Sequence, residues 1–277
     1  MPQIINTNVM SINSQRALNM SQKSMATSLE RLSSGLRINR AADDAAGLAI
    51  AERFTSQIRG LSVAIRNAND GISMAQTGEG AMAELTNSFQ RMRELAVQAA
   101  NGIYNTSDRA SLDLEYQDLK AEVSRIIAST EFISQKVLAS TSAIVFQFGF
   151  KDSVNDRITL STVNLSVNGK ITPITSATNA ITSISAARSV LALLSNAINQ
   201  VTSLRAEYGA AQNRLESTIR NLENVIENQS AARSRIKDAD FAKETANLTR
   251  TQILQQAGTA MLAQANQLPQ NVLTLLG

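Results

Sequence analysis

Apolar residues recur at helical spacing along most of the chain. Between residues 44 and 100 the steps alternate between three and four, which places these residues on one stripe of a helix in the pattern of a coiled coil. The stripe comprises Ile58, Leu61, Ile65, Ala68, Ile72, Ala75, Met82, Leu85, Phe89, Met92 and Ala96. The pattern predicts one long helix that begins after Asp44 and ends at Asn101-Gly102, where asparagine and glycine favour a stop.

The same spacing predicts two further helices. Residues 105–108, Asn-Thr-Ser-Asp, form a loop and a helix cap, and the apolar residues that follow predict a helix running back antiparallel to the first. A third helix is predicted from Ile184 through Ile226, with one slip of the stripe at Leu204. The expected fold is therefore mainly α: a long, coiled-coil-like antiparallel helix bundle.

The pattern changes to alternation between about residues 138 and 182. Ile144, Phe146 and Phe148 alternate with Val145, Gln147 and Gly149, and apolar residues mix with Thr, Ser and Asn further on. Asn168-Gly169 is a strong signal for a hairpin turn. This segment predicts two or three short strands, which form a small β-hairpin region.

The two ends of the chain carry amphipathic segments that predict a pair of terminal helices. Neither segment can bury its apolar face within one chain except against the other, and an isolated helix pair is marginally stable. Burial should therefore come from other copies of the chain. The residues expected to drive self-assembly are Leu18, Met25, Leu29, Leu32, Leu36, Ile253, Leu254, Met261, Leu262, Leu268, Leu273 and Leu276.

Each terminal segment joins the rest of the chain through a break. Gly35 interrupts the first helix, and Asp43 and Asp44 are placed to cap the next one; Asp238 and Asp240 mark the matching break near the other end. Paired carboxylates can also serve acid–base chemistry or bind a cation. Adjacent helical residues point about 100° apart and no third ligand is nearby, which favours hinge and cap roles.

Composition excludes several classes of function. The chain has no Cys, no His and no Trp, so thiolate chemistry, the commonest general base and the usual transition-metal ligands are missing. Its net charge of +3 is too small to indicate nucleic-acid binding. No segment predicts a cleaved signal peptide or a membrane span. We expect a protein without catalytic activity, metal or cofactor.

Three arginines next to the first break invite a second interpretation. Arg31, Arg37 and Arg40 could form a basic patch, but no aromatic residues accompany them for stacking on bases, so polar contacts between subunits or domains are favoured. The polar faces of the terminal segments carry Asn, Gln and Ser rather than dense Lys and Arg, which argues against a membrane surface.

Two motifs identify a family. The run SSGLRINRAADDAAGLAI at residues 33–50 resembles the N-terminal signature of bacterial flagellins, and AMLAQANQLPQNVLTLL at residues 260–276 resembles their C-terminal signature. The resemblance covers about residues 1–138 and 183–277. It implies a subunit that self-assembles into the bacterial flagellar filament and serves motility.

The resemblance also implies an organisation, a location and partners. Residues 1–43 and 237–277 would form a terminal helical core domain, residues 44–236 a helical rod domain, and no large outer domain would be present. The chain would be secreted by flagellar type III export to the extracellular flagellum, where it contacts copies of itself and the cap and junction proteins, after meeting an export chaperone. A hook–filament junction protein and a secreted helical adaptor are the alternative interpretations.

Residues 90–98, QRMRELAVQ, resemble the flagellin motif that flagellin-sensing Toll-like receptors bind. The residues that carry over are Arg91, Glu94 and Leu95, with Glu115 of the following helix. The chain departs from the family pattern after Phe132: flagellins commonly have Asn-Gly there, whereas this chain has Ile133-Ser134. The departure leaves the turn at that point open.

Overall fold

The computed structural model describes residues 7–176 and 179–276, with the backbone alone for residue 161 and residues 268–276. Its helices are α1 (Val9–Ser34), α2 (Ala45–Ala99), α3 (Thr106–Ser129), α4 (Thr172–Thr175), α5 (Ile184–Lys237) and α6 (Phe241–Leu276). Its strands are β1 (Glu131–Phe132), β2 (Gln135–Lys136), β3 (Ala143–Gln147) and β4 (Arg157–Ser161). The mainly helical fold with small antiparallel sheets confirms the predicted fold class.

The chain divides into two compact units. Residues 1–58 and 227–277 form one, called here the terminal unit, and residues 59–226 form the other, the central unit. The boundaries fall within α2 and α5, whereas the division expected from sequence follows the breaks near Asp44 and Asp238. Each unit is described separately below.

The central unit is built on the predicted apolar stripes. Met82, Leu85, Phe89, Met92 and Ala96 are fully buried in one cluster with residues of α3 and α5. Burying a side chain of the size of Leu, Met or Phe stabilises a fold by about 1.5–3 kcal/mol, so this cluster is the main source of stability of the unit. The three-four spacing determined the helix faces correctly.

The direction of the helices follows from which residues meet. Leu61 of α2 clusters with Leu222 of α5, and Ala68 clusters with Leu215, so residue numbers rise on one helix as they fall on the other. Near the far end of α2, Arg109 of α3 donates from Nε to the carbonyl of Ala99 at 2.9 Å. Helices α3 and α5 therefore both run antiparallel to α2.

The start of α3 is fixed by reciprocal side-chain bonds. Asn105 accepts from the backbone N–H of Asp108 at 2.9 Å, and Asp108 accepts from the N–H of Asn105 at 3.1 Å. This capping box satisfies two N–H groups that the first helical turn leaves without partners. A cap within residues 105–108 is confirmed, but the cap is Asn105 itself, and residues 106–108 belong to the helix rather than to a loop.

The longer hairpin, formed by β3 and β4, packs one of its faces against the helices. β3 pairs antiparallel with β4, Ala143 opposite Ser161 and Gln147 opposite Arg157. Ile144 and Phe146 pack against the core while Val145 is exposed, as the alternation predicted. Phe148, just beyond β3, is buried with Ala68 and Leu215.

Asn168-Gly169 is not a hairpin turn, and that prediction was wrong. The carbonyl oxygen of Asn168 accepts from the N–H groups of Ile171 at 2.9 Å and Thr172 at 2.8 Å, and its side chain accepts from the N–H of Lys170 at 3.0 Å. Asn168 thus starts the turn that leads into the short helix α4. The reason is the tendency of Asn to bond its own downstream backbone, which serves helical turns as well as hairpins.

The turn left open by the sequence is a two-residue hairpin. β1 pairs with β2, Phe132 opposite Gln135, and the two residues between them have positive φ, 47° at Ile133 and 63° at Ser134. Two-residue hairpins of this kind favour Asn-Gly because both positions need the left-handed region. That region costs an ordinary L-residue roughly 1–2 kcal/mol, and it is least suited to β-branched side chains.

Replacing Ile133-Ser134 by Asn-Gly should therefore stabilise the monomer. We expect the double variant I133N/S134G to raise the free energy of unfolding of the central unit by about 1–2 kcal/mol, since it removes strain at both positions. Urea denaturation followed by circular dichroism measures this. An unchanged or lower unfolding midpoint would contradict the strain assigned to the turn.

Candidate assembly surface on the paired terminal helices

Helices α1 and α6 pair side by side in the terminal unit. Asn8 donates from Nδ2 to the carbonyl of Ala265 at 2.8 Å, and the Ser21 hydroxyl donates to the carbonyl of Thr251 at 3.1 Å. The Ser28 hydroxyl donates to Glu244 at 3.0 Å. Positions that rise along α1 meet positions that fall along α6, so the pair is antiparallel.

The line of contact within this pair is polar and small. The buried residues, each only 5–7% exposed, are Ser11, Ser28, Glu244, Thr251 and Ala265. On α6 the contact positions recur every seven residues, the repeat of a coiled-coil seam. Gly258 occupies the remaining position of that repeat, and a Cβ there would lie 2.8 Å from Cδ1 of Leu18. Small residues thus let α1 approach α6 closely.

A charged pair lies inside this contact. Nη1 of Arg31 donates to Oε1 of Glu244 at 3.0 Å, and the Ser28 hydroxyl bonds the other carboxylate oxygen. Burial by itself raises the pKa of Glu244, but hydrogen bonds from Arg31 and Ser28 and the charge of Arg31 together lower the pKa below its ordinary value of 4.5. The carboxylate is therefore held in its ionised form.

Many of the large apolar side chains of the pair are exposed, although others, such as Leu18, are half-buried in the contact. Nine of them on the two helices are 49–65% exposed: Val9, Met10, Ile12, Met20, Leu29, Phe241, Ile253, Leu254 and Met261. An open groove of about 590 Å³ runs beside Leu18, Met20, Leu254 and Met261. A soluble helix pair usually buries its large apolar residues, whereas here the most buried positions are polar or small and many large apolar residues are exposed.

The structure separates the residues expected to drive assembly into three groups. Leu29, Ile253, Leu254 and Met261 are exposed. Leu18, Met25, Leu32, Leu36 and Leu262 are half-buried. Leu268, Leu273 and Leu276 lie in the part of α6 whose side chains are not described. Nearly half of the described residues of the set therefore remain open to water.

The break after α1 is held by backbone geometry and by carboxylates. Gly35 ends the helix with φ of 71°, and its N–H donates to the carbonyl of Arg31 at 2.9 Å. Asp44 accepts from the N–H of Gly47 at 2.8 Å and caps α2. Asp43 instead accepts from the N–H groups of Asn39 and Arg40, and the bonds from Arg40 and Asn39 lower its pKa.

The break before α6 lies against the first one. Leu36 pairs with Asp238 as an isolated antiparallel bridge, in which the N–H of Ala239 donates to the carbonyl of Gly35 at 2.9 Å. Asp240 caps α6 by accepting from the N–H groups of Ala242 and Lys243. The two connecting segments, distant in sequence, thus hold each other in place.

Sequence reasoning missed the apolar anchor of this junction. Ile38 is 1% exposed, and a Cβ at Gly47 would lie 2.8 Å from its Cδ1. The sequence signal was an isolated Ile between two polar residues of the loop. Ser28, Glu244 and Thr251 were missed as well, although the seven-residue spacing of the α6 positions could have revealed the seam.

The residues matched to the receptor motif lie on the surface of the central unit, with one exception. Arg91 donates from Nε to Glu115 at 2.8 Å and from Nη1 to Glu94 at 2.9 Å. Hydrogen bonds to Glu115 and Glu94 raise the pKa of Arg91. Leu95 is only 2% exposed and packs in the core.

Other kinds of site find no support in the described ranges. Among residues 7–176 and 179–276, no three His, Cys, Asp or Glu side chains come together in a way that could hold a metal ion. In the same ranges no helix is long and apolar enough to cross a membrane.

Comparison with known proteins places both ends of the chain in one family. Residues 5–143 match the bacterial flagellin N-terminal helical region, and residues 191–276 match the bacterial flagellin C-terminal helical region. The chain is 46% identical over 274 residues to flagellin of Halalkalibacterium halodurans, with 99% of each chain covered. It is 42% identical over 284 residues to flagellin FlaB2 of Treponema pallidum, again with 99% of each covered.

A solved structure agrees with the sequence comparison. The crystal structure of Bacillus cereus flagellin is similar, with a TM-score of 0.50 and 31% identity, over 57% of this chain and 88% of that one. The two terminal motifs, the helical fold and full-length relatives lead to the same conclusion. The chain belongs to the bacterial flagellin family, whose members are structural subunits of the flagellar filament.

Proposed function

We propose that this chain polymerises into a flagellar filament by burying the outward apolar faces of α1 and α6 against other copies of itself. The observation that carries the proposal is the exposure of nine large apolar side chains on the two helices, whose most buried positions are polar or small. Covering half of each would contribute on the order of 10 kcal/mol per subunit. That is comparable with the free-energy cost of association, so contacts with several neighbours are needed.

The same physics supports open-ended growth. Contacts between different surfaces of identical chains do not close when the rotation between them is not a simple fraction of a turn, and they then build a filament. Residues 1–43 and 237–277 would form the inner domain of that filament, and residues 44–236 its next shell. The caps at Asp44 and Asp240 support these limits, because a helix starts after each.

The finer parts of the function follow from the family. The chain would leave the cell through flagellar type III export, meet an export chaperone, and contact cap and junction proteins in the extracellular flagellum. It would have no catalytic activity and no cofactor. The hook–filament junction protein and the secreted helical adaptor remain outcomes of the experiment below.

Deleting the terminal segments should abolish assembly. We expect the full chain, seeded with sheared filaments, to form long tubes visible by electron microscopy, because its terminal helices can then be covered. A chain lacking residues 1–43 and 237–277 should sediment as a helical monomer. A full chain that stays monomeric under seeding would favour the junction or adaptor interpretation.

A substitution within the full chain provides a sharper control. Ile253 and Met261 are exposed, so I253Q/M261Q should change monomer stability by less than about 0.5 kcal/mol and yet raise the concentration needed for assembly. Gln256 is an exposed polar residue of the same helix, and Q256A should assemble like the unmodified chain. If I253Q/M261Q assembled as well as Q256A, the exposed apolar residues of α6 would not be what drives assembly.

The Arg31–Glu244 pair would set the register of α1 against α6. Such a pair cannot slide by one helical turn without leaving the buried Glu244 charge unpaired, which is strongly unfavourable. Apolar contacts alone tolerate such slips more readily. The pair thus supplies specificity, which we infer keeps the apolar faces in the geometry that neighbouring copies match.

Removing this pair should destabilise the terminal helices in a pH-dependent manner. E244Q should cost about 2 kcal/mol at pH 7, since it removes a charged hydrogen bond at a buried site. The pKa of Glu244 is lowered on folding, so its stabilisation is present above the unfolded value of 4.5 and is lost as pH falls through the folded value. The difference between the two proteins in thermal melting should therefore shrink from pH 5 to pH 3.

A matched control lies on α1. Glu30 pairs with Arg40 at 2.8 Å, but the Glu30 side chain is 41% exposed and that of Arg40 72%, so E30Q should cost less than about 0.5 kcal/mol at any pH. A pH profile for E244Q that is as flat as that of E30Q would contradict the role assigned to Glu244.

A host receptor is a further proposed partner. Arg91, Glu94 and Glu115 offer charged groups on the surface, whereas Leu95 would have to act by supporting the helix from the core. R91A should lower Toll-like receptor signalling in a reporter cell line at least tenfold if the motif acts as in the family. Arg93, two positions further along and also exposed, provides the control R93A, and equal signalling by R91A and R93A would contradict this proposal.

A further inference from the structure

The turn between β1 and β2 is a rigid projection from the central unit. On one side Phe132 packs against the core, and on the other Val137 is fully buried. The N–H of Val137 donates to the carbonyl oxygen of Thr130 at 3.2 Å. At the end of α3, the N–H of Thr130 donates to the carbonyl oxygen of Ile126 at 3.1 Å. The tip is therefore held in a fixed position.

The residue at the tip is unfavourable for a monomer in two ways. Ile133 is β-branched and has φ of 47°, a region that such residues rarely occupy. Its side chain is also 76% exposed, so packing within the chain does not compensate for the strain. Strained residues persist where something other than local preference holds them in place.

The surroundings of the tip are suited to an apolar contact. Glu131 and Lys136 are opposite each other on the two strands, and Nζ of Lys136 lies 2.9 Å from Oε2 of Glu131. The two charges nearest the tip thus neutralise each other. Covering the tip would then leave no unpaired charge from these two strands out of water.

We propose that Ile133 is a contact residue between subunits and packs on a second copy of this chain. The proposal rests on the assembly argued above. A second copy is the occupant because this chain belongs to a family of flagellar filament subunits, which contact like subunits in the polymer. In a contact between different surfaces, a rigid apolar projection forms one half and a neighbour supplies the other.

Three single substitutions separate the side chain from the strain. I133N removes the apolar side chain and relieves the strain, S134G relieves strain and keeps Ile133, and I133L keeps an apolar side chain of the same size. Seeded polymerisation, with the protein left in solution measured by sedimentation, gives the critical concentration of each full-length variant. Thermal melting of the monomers shows whether each is folded.

The expected result is a loss of assembly without a loss of stability. I133N should melt at a higher temperature than the unmodified chain and yet have a critical concentration about tenfold higher, since one buried isoleucine contact is lost. S134G and I133L should polymerise within about twofold of the unmodified chain. I133N polymerising at the unmodified concentration would overturn this inference.

The outcomes distinguish this inference from the proposed function. If the unmodified chain forms filaments and I133N forms them equally well, only the role of Ile133 fails. If the unmodified chain forms none under seeding, the proposed function fails, and the inference fails with it. If S134G and I133N are impaired alike, the shape of the turn rather than the side chain matters, which also overturns the inference.

Discussion

The pairing of α1 with α6 is the interaction on which the proposed assembly of this protein depends. The most buried positions between the two helices are Ser, Thr, Glu and Ala, while nine large apolar side chains are exposed to water. A helix pair of this kind gains little from the hydrophobic effect in a single chain and much when other copies cover it. The subunit therefore leaves large apolar side chains exposed by itself, and in the proposed assembly the polymer is the state in which they leave water.

The two units differ in how they bury their apolar residues. The central unit hides its stripes internally, where Phe89 and Met92 are fully buried, and it has the clusters expected of a self-sufficient core. In the terminal unit, polar contacts instead determine which residues of the two helices meet. Arg31 with Glu244, and the bridge between Leu36 and Asp238, hold it together while its apolar faces stay available.

The strained turn of the central unit, like the exposed apolar residues of α1 and α6, is unfavourable for the isolated subunit. At Ile133 and Ser134 the chain keeps residues that a hairpin turn disfavours. Asn and Gly would suit the free subunit better, because both tolerate positive φ. A subunit under selection for its polymer is not expected to be optimal as a monomer, which is consistent with the contact between subunits proposed at Ile133.

The sequence by itself determined the helices, their faces and the family. Periodic apolar residues fix which side of α2, α3 and α5 is buried, because burial must recur with the turn of the helix, and the caps at Asn105 and Asp44 mark where helices start. Only the tertiary structure decided which side of α1 meets α6, the partner of Glu244, the burial of Ile38 and Leu95, and the use of Asn168. Periodicity reports that a face is apolar. It does not report whether that face turns inward or outward, since this depends on contacts between residues far apart in the chain.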